Sequence, residues 1–131
     1  MTDRPQRVLY LEDVASIAEM AIMALEDIAG YEVVHADNGP DAIEAWKSFK
    51  PDLCLFDVML PGMDGPETLA RIRELAAPVD VPAIFLTAKA QLHEQDAYLE
   101  LGVLGVIIKP FNPITLGDEI DALWAKRAAA S

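Results

Sequence analysis

The chain has only one cysteine, Cys54, among its 131 residues, so no internal disulfide is available. That thiol sits inside an apolar run and is expected to pack as a small hydrophobe. Basic residues are scarce as well: 10 Lys and Arg face 22 Asp and Glu, for a formal net charge of -12. Such a surface repels phosphate backbones, whose binding depends on Lys and Arg displacing counterions, so direct nucleic-acid binding is not expected. No stretch reaches the roughly 18 apolar residues of a membrane span, and no long apolar segment follows the basic residues of "MTDRPQRVLYLED". The expectation is a cytoplasmic protein with no membrane partner. A G-x-G-x-x-G phosphate loop after the first apolar run is also missing, which disfavours a flavin or dinucleotide binder. Internal repeats and low-complexity linkers are absent, apart from the small Ala-rich end "RAAAS".

What is present is a single rhythm. With 53% hydrophobic residues, the length suits one domain, since domains cluster around roughly 100–150 residues. The expectation is a single domain over 1–131, with its core at about 6–127 and no output domain attached. Short apolar runs, "RVLYL", "YEVVHA", "DLCLFD", "VPAIFLT" and "VLGVIIK", alternate with stretches whose apolar residues recur every three or four positions. In the first such stretch Ile17, Met20, Ala21, Ala24, Leu25 and Ile28 are expected on one helical face, stopped by Gly30. A second helix is expected over Asn38–Lys50, closed by Pro51, and a third capped by Asp64 with Pro66 in its first turn. A fourth is expected over Ala90–Leu101, and a fifth from Asn112 and Pro113 through Trp124. Strict β–α alternation predicts an α/β fold with a parallel sheet covered by helices on both faces.

Strand ends carry the chemistry in such folds. Here they are all polar: Glu12 and Asp13, Asp57, Thr87 and Lys109. Asp57, which closes the apolar run Leu53–Phe56, is expected to project from the carboxyl edge of the sheet into a crevice rather than be buried within the sheet. In a flavodoxin-like, doubly wound (βα)5 order 2-1-3-4-5, strand one lies beside strand three and three carboxylates crowd together. Each like pair at about 4 Å costs on the order of 4 kcal/mol at an effective dielectric of 20. Lys109 offsets part of this, and a hard divalent cation with oxygen ligands, Mg²⁺ or Mn²⁺ in its place, suits the rest.

These motifs, "YLED", "FDVMLPGMDG", "FLTAKA" and "IIKPF" in that order, resemble the receiver domain of bacterial two-component response regulators, here of a stand-alone type. The resemblance runs from Arg7 to the last helix. It implies phosphotransfer from a histidine kinase or histidine phosphotransfer protein to Asp57. It implies Mg²⁺ held by Glu12, Asp13, Asp57 and the main-chain carbonyl of Met59. It gives Thr87 and Lys109 the task of meeting the phosphoryl oxygens, Ala88 that of leaving room for them, and Pro110 a cis bond that aims the lysine. Met59 and Lys89 occupy positions that tune dephosphorylation in this family. The resemblance also implies a downstream protein target on the face of the fourth helix, fifth strand and fifth helix. Beyond self-catalysed phosphotransfer and autodephosphorylation, no enzymatic activity is expected.

One departure stands out: the family's aromatic switch residue, three positions before the lysine, is Val106. Tyr98 on the fourth helix is the candidate substitute. A degenerate receiver that binds partners without phosphorylation is the nearest alternative reading. An aspartyl-phosphate phosphatase is disfavoured because Met59 stands where such enzymes place their second acid. Elsewhere the bland readings prevail: His35 and His93 lack ligand-like spacing, Trp46 and Trp124 read as core, and Glu94, Asp96 and Glu100 read as a solvated face. On the first helix Met20 is expected in the core and Ile22 exposed.

Overall fold

The computed structural model describes residues 4–88 and 92–130, with side chains described for 4–88 and 94–126. Five strands form one parallel sheet in the order β2-β1-β3-β4-β5, with β1 at Arg7–Leu11, β2 at Glu32–Ala36, β3 at Leu53–Asp57, β4 at Ala83–Thr87 and β5 at Gly105–Ile108. Every residue of β3 and β4 is buried, as central strands covered on both faces require. This is the flavodoxin-like arrangement anticipated above. Val8, Tyr10, Leu55, Ile84 and Leu86 pack beneath the helices α1 (Ala15–Met23) and α5 (Leu116–Ala130). On the other face Leu9, Leu11, Cys54, Phe56 and Phe85 pack against α2 (Gly39–Phe49) and α3 (Gly65–Ala76), and Tyr98 reaches the same cluster from α4 (Leu92–Glu100). Burying one side chain the size of Phe56 contributes about 1.5–3 kcal/mol. Cys54 is part of this core, and burial pushes its thiol up to about 12, where it stays protonated.

The helix boundaries follow local chemistry. Asn38 accepts a hydrogen bond from the Asp41 amide at 2.8 Å and starts α2. Asp64 accepts from the Glu67 amide at 2.9 Å and starts α3, with Pro66 in the first turn where a missing N–H is harmless. The fifth helix begins later than its sequence suggests. Asn112 still caps it, its carbonyl accepting from the Leu116 amide and its Oδ1 from the Ile114 amide, each at 2.9 Å, while regular helix runs from Leu116. The expected Ala90 start of α4 lies outside the described residues.

The first helix also departs from expectation. Its buried residues are Ala18, Ala21, Ala24 and Leu25, with Ile17 half-buried, whereas Met20 and Ile28 are 38% and 49% exposed. Ile22 is half-buried against the core, so the expected roles of Met20 and Ile22 are reversed. Small residues set the contact stripe, and the helix widens into a π-helical stretch at Ala24–Ile28, which turns the residues beyond it off the 3.6-residue period.

Candidate functional site

The β1–β3 register pairs Leu11 with Phe56, so the next residues, Glu12 and Asp57, emerge side by side at the carboxyl edge. Asp57 is the last residue of β3. The amide of Val58 donates to the Leu86 carbonyl at 2.9 Å, which keeps the chain bonded to β4 just past it. On its far side the N-terminus of α3 presses close: Gly65 N–H donates to the Val58 carbonyl at 3.2 Å, and a Cβ on Gly65 would collide with the Asp57 carbonyl. Only glycine lets α3 begin there. Thr87 ends β4, and Lys109 follows β5, anchored by its amide to the Thr87 carbonyl at 2.8 Å. The Lys109–Pro110 bond is cis.

These elements bring Glu12, Asp13 and Asp57 together, with one carboxylate oxygen from each lying within 4.8 Å of the others. Lys109 Nζ bridges two of them, 2.7 Å from Glu12 Oε1 and 3.0 Å from Asp57 Oδ2. Glu12 Oε2 accepts from the Val14 amide at 3.3 Å, and its carbonyl lies 2.9 Å from His35 Nε2. Glu12 and Thr87 are fully buried and Asp13 is exposed. Asp57 stands at the carboxyl edge as expected but deep in it, only 4% exposed, with Lys109 on its carboxylate and the α3 N-terminus against its backbone carbonyl. Oxygen-only donors in this number fit a hard divalent cation.

Burial pushes the Asp57 carboxyl up to about 6; Lys109 pulls it back by hydrogen bond and charge, while the Glu12 charge pushes it further up. Burial alone would lower Lys109, but its contacts with Glu12 and Asp57 outweigh that and hold the ammonium above its ordinary value. The folded chain therefore holds the Asp57 proton more tightly than the unfolded chain, whose carboxyl titrates at about 3.9. That contribution to stability is complete below about pH 4 and disappears as pH rises through about 6. Urea denaturation in chelator across this range is expected to show wild type losing stability with rising pH relative to Asp57→Asn. Parallel curves would contradict the assignment.

The remaining candidates lie around this core. Ala88 and Pro110 are exposed beside Lys109, and both line an apolar cavity of about 350 Å³ with Ile17, Met20 and Phe111. Met59 is 59% exposed just past Asp57, and Lys89 lies outside the described residues. Val106 is half-buried on β5. Tyr98 is half-buried on α4 and meets Phe85 edge-on at 5.6 Å, in the cluster that includes Val106 and Leu60. His35 is exposed, with its ring 5.5 Å from Tyr10.

Tyr10 was absent from the sequence-based candidates, being read only as part of an apolar strand. Its phenol is fully buried beneath Glu12, and the hydroxyl has no hydrogen-bond partner among the described residues. Burial first, then the Glu12 and Asp57 charges, hold the phenol far above its ordinary value, so it stays a donor. The available signal was spacing: residues two apart on a strand share a face.

A sequence profile described as the response regulator receiver domain matches residues 8–121. The chain belongs to the response regulator receiver domain family. Among curated relatives, this receiver is 40% identical over 116 residues to the phosphate regulon transcriptional regulatory protein PhoB of Pseudomonas aeruginosa, covering 88% of the chain and 50% of that protein. It is 45% identical over 106 residues to the transcriptional regulatory protein DltR of Streptococcus agalactiae, covering 81% and 46%. The receiver thus spans about half the length of these relatives. Among solved structures it superposes on chemotaxis protein CheY4 of Vibrio cholerae with TM-score 0.82 at 30% identity, over 90% of this chain and 98% of that one. A CheY-like receiver domain protein from Methanospirillum hungatei gives 0.80 at 28% identity, over 96% and 98%. The protein is therefore a receiver of two-component signalling. No helix among its described residues is long and apolar enough to cross a membrane.

Proposed function

We propose that Asp57 is the phosphoacceptor of a cytoplasmic phosphorelay, charged by a histidine kinase or histidine phosphotransfer protein and signalling through protein contacts. The observation that carries this reading is Lys109 Nζ, 3.0 Å from Asp57 Oδ2 and bonded also to Glu12, at the rim where Asp13 joins them. An Asp57 oxygen attacks phosphorus, forming the O–P bond as the N–P bond to the partner's histidine breaks. The departing imidazole keeps that electron pair and takes up a proton. Little covalent chemistry is left to the protein, so its task is to hold the groups and neutralise charge.

Lys109, kept charged by its carboxylate contacts, meets the phosphoryl oxygens. Thr87 at the end of β4 donates its hydroxyl, and exposed Ala88 leaves space. Glu12, Asp13, Asp57 and the Met59 carbonyl would hold Mg²⁺, or Mn²⁺, which supplies further positive charge against the phosphoryl group. Exposed Met59, two residues past Asp57, is the side chain that would hinder water approaching the acyl phosphate. The added charge at Asp57 draws Thr87 and Lys109 inward and alters the α4–β5–α5 face. There a groove of about 390 Å³, lined by Val106, Ile108, Glu119 and Leu123, suits a downstream partner. Tyr98, packed on Phe85, takes the part of the missing aromatic at Val106.

Incubation with acetyl phosphate and Mg²⁺ followed by intact-mass measurement tests this. Wild type is expected to gain one phosphoryl group that Asp57→Asn does not. An unmodified wild type, or equal modification of the variant, overturns the reading.

A further inference from the structure

Alternation along β1 puts Tyr10 on the same face as Glu12, and the register sets it opposite Leu55, one step beneath Asp57. The ring is fully buried in the cluster of Ala18, Ala21, Leu55 and Ile107. Its hydroxyl has no hydrogen-bond partner among the described residues, and after burial it is the Glu12 and Asp57 charges that hold the phenol proton. Glu12 is engaged elsewhere: Oε1 accepts from Lys109 and Oε2 from the Val14 amide. A carboxylate has about four acceptor positions, so Glu12 retains capacity for a further donor.

We propose that Tyr10 is a positioning residue for the acidic site, its buried hydroxyl becoming a donor to the Glu12 carboxylate in the metal-loaded receiver. The inference rests on Glu12 serving as a metal ligand, as read above. A buried donor left unpaired disfavours the arrangement in which Lys109 takes Glu12, and pairing it favours the loaded one. Tyr10 thus biases the site without touching the metal. Phenylalanine would fill the same volume and supply no donor.

The test uses Tyr10→Phe, with Tyr31→Phe as contrast because the Tyr31 hydroxyl is already bonded to Asp121 and to the Gly117 carbonyl. Calorimetric titration with Mg²⁺ alone is paired with urea unfolding in chelator. Tyr10→Phe is expected to bind Mg²⁺ about tenfold more weakly, the worth of one hydrogen bond to a charged group, while its metal-free unfolding midpoint stays level or rises. Tyr31→Phe is expected to do the reverse, losing stability and keeping wild-type affinity. Tyr10→Phe binding Mg²⁺ as tightly as wild type overturns the inference and leaves the metal site standing. So does a metal-free loss of stability as large as that of Tyr31→Phe. Wild type taking up no Mg²⁺ overturns the metal reading and the inference together.

Discussion

Lys109→Met is expected to destabilise the metal-free receiver by about 3–5 kcal/mol at neutral pH, because it leaves buried carboxylates without their cation. The lysine is the ammonium bonded to both Glu12 and Asp57, which are 0% and 4% exposed. Methionine keeps much of the stem's bulk, so the loss reports charge rather than a cavity. Two conditions should reduce the deficit. Lowering the pH toward 5 protonates Asp57, whose carboxyl is already pushed up to about 6 even with Lys109 present. Adding Mg²⁺ supplies the missing positive charge by binding only the folded chain. Urea unfolding of both proteins at two pH values, with chelator or Mg²⁺, checks this. A variant as stable as wild type in chelator at neutral pH would mean that the rim carboxylates are not held at electrostatic cost.

The second large effect is steric. Gly65→Ala is expected to cost about 3 kcal/mol by overpacking. The added methyl runs into the Asp57 carbonyl and comes within 3.2 Å of Val58 Cα, both backbone that no rotamer change can move aside. Relief requires α3 to back away from β3 or the end of β3 to shift, and either displaces Asp57. Phosphoryl uptake from acetyl phosphate should then fall on the order of a hundredfold, as expected for a misplacement near 1 Å. Adduct formation followed over time, alongside unfolding, separates the two consequences. Wild-type uptake in a destabilised variant would show that the α3 contact supports the fold and not the position of Asp57.

Both effects come from features that were unevenly legible in the sequence. The strict alternation of apolar runs and helical stretches carried the sheet, and polar residues closing apolar runs carried Glu12, Asp13, Asp57, Thr87 and Lys109 to one edge. Strand order then made Glu12 and Asp57 neighbours. What pattern could not show was depth. Asp57 is buried because Glu12, Lys109 and the start of α3 close over it, three tertiary contacts from distant parts of the chain. Met20 and Ile22 exchanged their expected roles because the contact stripe of α1 follows its small residues, and Ile28 turns outward where the helix widens after Met23. Asn112 signals a helix start and does cap α5, but the turn over 113–115 is irregular and regular helix runs only from Leu116. Tyr10 was hidden by its own apolarity: a tyrosine in an apolar strand reads as core, and only its alignment beneath Glu12 gives the hydroxyl meaning.

Locating the phosphoryl group is the most direct test of the account. After brief exposure of wild type to acetyl phosphate and Mg²⁺, fragmentation of the modified protein should place a single phosphoryl group on Asp57, with Glu12 and Asp13 unmodified. A group found on any other residue would contradict it.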